Sequence, residues 1–146
     1  MGFNPCVLSS LVFLTNAYTA HTTKIDNSKL MNIYCLLFIM LSLSSVINHY
    51  NSTPIKQYID KICVYMVVLY GLYIFLYQNY SIISQAAVIL LFLSSVVLYN
   101  YGKYTCTFCF DPDEEIRYYY HVLMHILASL GHHFILWLRA PFVPDC

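Results

Sequence analysis

Apolar residues run along this chain in five stretches parted by short polar segments. A helix rising about 1.5 Å per residue needs roughly 20 apolar residues to cross a hydrocarbon layer about 30 Å thick. The pattern therefore predicts spans over about 5–20, 30–49, 61–77, 82–101 and 118–138, the first of them short and holding Asn16. Lys24, Asp26 and Lys29 mark the first loop, and Asn51-Ser52-Thr53-Pro54 with Lys56, Asp60 and Lys61 the second. Gln78-Asn79-Tyr80-Ser81 suits a tight turn at an interface, and Asp111-Pro112-Asp113-Glu114-Glu115 lies in a polar loop before the last stretch. Arg139 and Pro141 close that stretch. Lipid offers the backbone no hydrogen bonds, so every span is expected to be a helix. Residues 1–146 read as one all-α domain, an integral membrane bundle of about five transmembrane helices, multi-pass, with no internal repeat and no separate soluble domain.

Composition strengthens this reading. The chain is 60% hydrophobic and 10% charged, with a mean hydropathy of +0.62, whereas a soluble domain is about 25% charged. Seven basic and seven acidic residues give a formal net charge of zero. That balance and the lack of a long basic run argue against a nucleic-acid partner, because phosphate binding needs a positive field. The basic residues divide four to three between the two sides, which leaves the positive-inside rule little to act on. Fifteen tyrosines and nine phenylalanines suit membrane interfaces, with Tyr118-Tyr119-Tyr120 and Trp137 as the expected anchors. No basic segment precedes the first apolar run, which reads as a span rather than a cleaved signal. Among six cysteines only Cys106-x-x-Cys109 forms a close pair. With no second pair to complete a zinc ribbon, it reads as a disulfide or two free thiols.

Ionisable groups at membrane depth are expensive and mark function by default. His49 ends the second predicted span, Asp60 opens the third, and His121 and His125 lie in the first turns of the fifth. With five spans, the end of the second and the starts of the third and fifth fall on one side of the membrane. All four residues thus converge in depth. His121-x-x-x-His125 places two imidazoles one turn apart on one helix face, a spacing at which both can bind one metal. Ser45-x-x-x-His49 sets a hydroxyl on the face of the third imidazole. Three neutral histidines leave a fourth position open, as in a catalytic zinc site, with Asp60 as general base or outer ligand-orienting group. The plainer alternatives are interhelical hydrogen bonds for the histidines, close packing for Ser45 among Ser42 and Ser44, and a helix-capping role for Asp60. His132, roughly 16 Å deeper than His121, is too far for the same metal and reads as a buried hydrogen-bonding group. His133 points elsewhere.

Ser45-Val46-Ile47-Asn48-His49, then Asp60, then His121-Val122-Leu123-Met124-His125 resembles the signature of the CREST superfamily. That superfamily includes alkaline ceramidases, adiponectin/progestin receptors, Per1-like lipid-remodelling factors and myomaker-related transmembrane proteins. Ser9-Ser10-Leu11-Val12-Phe13-Leu14 and the length before His49 look most like the myomaker-related branch. The resemblance implies a shortened version of a seven-helix fold, with one span rather than three between the Asp helix and the last. It also implies Zn2+ on His49, His121 and His125, with Ser45 and Asp60 as catalytic residues beside it. The implied activity is zinc-dependent hydrolysis of a lipid amide or ester, ceramidase-like, on a sphingolipid or related membrane lipid, with metal-bound water as nucleophile. Asn4-Pro5 stands where the family often has an acidic residue. Two other readings stay open: a non-catalytic membrane protein with a structural zinc site, set in membrane remodelling or fusion, and a small channel or proton carrier using His132 and His133.

Overall fold

A computed structural model describes residues 4–23 and 28–138, and among these it is helical almost throughout. Lys24, Asp26, Arg139 and Pro141 lie outside the described residues. The chain forms α1 (Pro5–Ser10), α2 (Val12–Thr22), α3 (Ser28–Tyr50), α4 (Pro54–Tyr77) and α5 (Ile82–Val96). A π-helical turn (Val97–Tyr101) carries α5 into α6 (Gly102–Thr105), and a 3-10 turn (Phe108–Phe110) precedes α7 (Glu114–Trp137). The all-α bundle expected from the sequence is what forms. Ser28–Tyr50, Pro54–Tyr77 and the continuous rod Ile82–Thr105 are each long and apolar enough to cross a membrane.

The first and last predicted spans take less simple forms. The first is two helices meeting at Leu11. Ser9 and Ser10 both turn their hydroxyls back on the Cys6 carbonyl, at 3.1 and 2.7 Å. Such back-bonding competes with the helical ladder and explains the break. The last helix has the length of a span, but Glu114, Glu115, Arg117 and four histidines lower its apolar character. Asp113 caps it, its carboxylate accepting from the backbone N–H groups of Glu115 and Ile116, and the two glutamates favour the positive end of the helix dipole.

The third span begins earlier than its apolar run. Thr53 caps α4 and Pro54 occupies its first turn, the position where a missing N–H does no harm. Asp60 therefore lies within the helix and caps nothing. In the turn after α4, Tyr80 is buried and its hydroxyl donates to the Ile135 carbonyl at 2.7 Å.

α2 packs along α3, α3 along α4, and α5 along α7, while α1 and α2 touch both α3 and α7. The backbones of α3 and α7 nowhere approach within 8 Å at Cα, nor do those of α4 and α5. The seam between α3 and α7 is crossed by side chains. Tyr34, wholly buried on α3, meets His132 Nδ1 at 2.5 Å, and Phe38 packs edge-on to the same imidazole. At the other end of the seam stand three more imidazoles.

Candidate metal centre

His49 comes from the last turn of α3, and His121 and His125 from successive turns of α7. Their ring centroids are 4.8 Å (His49–His121), 5.4 Å (His49–His125) and 4.9 Å (His121–His125) apart. One ligand nitrogen from each lies within 4.8 Å of the other two. Zinc with bonds of about 2.0–2.1 Å sets tetrahedral ligand nitrogens roughly 3.3 Å apart. Among the described residues no other trio of His, Cys, Asp or Glu is so placed.

The donor set itself fits a metal. His49 Nε2 is buried and has no hydrogen-bond partner, a condition that costs about 1–3 kcal/mol when nothing compensates it. His125 is buried, and its Nδ1 lies 2.8 Å from the Ser9 hydroxyl, which leaves Nε2 as its free nitrogen. Three imidazoles with no carboxylate among them form a borderline-soft set suited to zinc and related divalent ions.

Ser45 and Asp60 are brought close to this end of the bundle but engage other partners. Ser45 is buried, and its Oγ lies 3.0 Å from Ser10 Oγ, whose own proton goes to the Cys6 carbonyl. The Asp60 carboxylate accepts from Ser44 Oγ at 3.0 Å and from Asn48 Nδ2 at 3.2 Å. Ser44 and Asn48 stand one residue before Ser45 and His49, hence about 100° round the helix. Span parity sets depth but not azimuth, and Asp60 meets the neighbouring face of α3. Its hydrogen bonds reach none of the three imidazoles.

Sequence reasoning passed over two contributors from α1. Ser9 bonds His125, and Asn4 Nδ2 donates to the His49 carbonyl at 2.9 Å while its Oδ1 caps α1. The signal was available in form, since Asn4-Pro5 is a cap followed by a first-turn proline. Deeper in the bundle, Asn16 donates through Nδ2 to the Ser129 carbonyl (2.9 Å) and to His133 Nδ1 (2.6 Å), and accepts from Ser129 Oγ (2.6 Å). His132 and His133 are thus held by Tyr34 and Asn16.

Cys106 and Cys109 are both free thiols. Cys106 is exposed in a left-handed conformation that ends α6, and burial pushes the Cys109 thiol up to about 12. Gly102 permits this reversal, because a Cβ there would stand 2.6 Å from the Thr107 carbonyl oxygen.

No protein-family model, curated protein or solved structure matches the chain.

Proposed function

We propose that this chain is an integral membrane protein that holds a zinc ion on His49, His121 and His125 and hydrolyses an amide or ester of a membrane lipid. The observation that carries the proposal is the convergence of those three imidazoles from two helices whose backbones do not touch. Zinc held by these three imidazoles would supply Lewis acidity to a carbonyl and lower the pKa of water for attack on it. The remaining roles fall to the chain. Asp60, held by Ser44 and Asn48, is the group available to receive a proton. Ser45, one turn before His49, orients the lipid carbonyl once its bond to Ser10 is exchanged. A groove of about 370 Å³ lined by Pro5, Glu115, Tyr118, Tyr119 and Val122 opens beside α1 and the first turns of α7. It offers apolar surface for an acyl chain at the same depth.

A second reading is favoured by the hydrogen bonds of Ser45 and Asp60, which turn both away from the imidazoles. In it the zinc is a structural tie between α3 and α7, and membrane remodelling is the setting that the sequence resemblance supplies. The two separate on one experiment. Protein purified in detergent is mixed with long-chain ceramides and lysolipid esters, and released fatty acid is measured by mass spectrometry. The hydrolase reading expects release, lost on His125→Ala and on Asp60→Asn. The structural reading expects no release, a fold that tolerates Asp60→Asn, and one destabilised by His125→Ala.

A further inference from the structure

We infer that Ser9 is a positioning residue for the metal centre, fixing the orientation and tautomer of His125. The inference rests on the proposed metal site and concerns how it is held.

Ser9 Oγ lies 2.8 Å from His125 Nδ1 and 3.1 Å from the Cys6 carbonyl oxygen. A hydroxyl has one proton to donate and lone pairs with which to accept. A neutral imidazole bound to a cation through Nε2 must carry its proton on Nδ1. Ser9 then accepts from Nδ1–H and donates its own O–H to the Cys6 carbonyl oxygen. The chain Nδ1–H to Ser9 Oγ to Cys6 oxygen has one consistent direction, and it leaves the Nε2 lone pair free to bind a cation. Metal-bound histidines commonly donate their second nitrogen to such a partner, which sets ring orientation and raises ligand basicity.

The placement depends on the break in the first helix pair. α1 is a six-residue segment anchored at one end by Asn4, which bonds the His49 carbonyl, and at the other by the Ser10 backbone carbonyl, which accepts from Ser42 Oγ at 3.0 Å. Both anchors join α1 to α3, whereas Ser9 alone among these groups reaches across to α7. Phe13, one turn on, packs edge-on against the His125 ring at 5.4 Å. One face of the imidazole is thus fixed by an aromatic contact and its rear nitrogen by a hydroxyl.

The test is zinc affinity by chelator competition on purified full-length protein in detergent, for wild type, Ser9→Ala, Ser9→Thr and Ser10→Ala. Loss of an outer partner of this kind weakens metal binding about 10–100-fold. The expected result is a weakening in that range for Ser9→Ala, recovery to near wild type for Ser9→Thr, and little change in affinity for Ser10→Ala. Wild-type zinc-loaded protein is also examined by ¹⁵N solid-state NMR, which needs no variant to fold. There His125 is expected to show a protonated Nδ1 and a metal-bound Nε2. Wild-type affinity in Ser9→Ala, equal losses in the Ser9 and Ser10 variants, or an unprotonated Nδ1 overturns the role of Ser9 and leaves the metal centre standing. Failure of the wild type to bind zinc removes the centre itself.

Discussion

At the scale of single residues, the bundle is polar in few places, and among the described residues most of its buried polar side chains are paired, His49 Nε2 and Gln78 Oε1 excepted. Asn16 is wholly buried and satisfies Ser129 and His133 at once through three hydrogen bonds. Removing its amide takes the partner from the Ser129 hydroxyl and one partner from His133 Nδ1 between α2 and α7, a buried loss costing about 1–3 kcal/mol. Asn16→Ala is expected to lower the thermal midpoint of detergent-solubilised protein, read by circular dichroism, and to leave zinc content unchanged. The contrast with His49 is informative, since its buried Nε2 has no such partner. The trio of imidazoles was legible in the sequence because spacing and span parity both act on histidines. Ser9 and Asn4 were not, because serine and asparagine near a membrane helix start have many ordinary uses. The azimuth of Asp60 was illegible for a different reason: it depends on how α4 rolls against α3, which no local pattern records.

Among the elements, hydropathy located the helices better than their ends. α3 and the α5–α6 rod follow their apolar runs closely, whereas α4 starts at Pro54, several residues before its run. Lys56, Asp60 and Lys61 are polar yet helical, so a boundary drawn by hydropathy falls too late there. The divided first helix was legible only as a short span, since its break arises from serine hydroxyls competing for one carbonyl. α4 also owes its fit to a single small residue. A Cβ on Gly71 would lie 2.7 Å from the Tyr34 hydroxyl and 2.9 Å from His132 Cε1. Both groups are pinned by their mutual hydrogen bond, and neither retreats without breaking it. Gly71→Ala is expected to destabilise the protein by about 1–3 kcal/mol, the usual range for overpacking, seen as a lower midpoint in thermal unfolding. An unchanged midpoint would show that α4 shifts away freely.

For the molecule as a whole, the organising feature is a seam between α3 and α7 that side chains must close. Tyr34 and His132 close it at one end by a direct hydrogen bond. At the other end His49 faces His121 and His125 with a nitrogen to spare, while α1 bridges both helices from the side. A cation there would complete a closure that the protein groups leave unfinished, whichever chemistry followed from it. The most direct test is the metal content of the purified protein together with X-ray absorption at the metal edge. The account predicts one zinc per chain with three imidazole nitrogens at about 2.0–2.1 Å, lost in His49→Ala and in His121→Ala alike. Protein that carries no stoichiometric metal, or keeps it undiminished in both variants, would contradict the central claim.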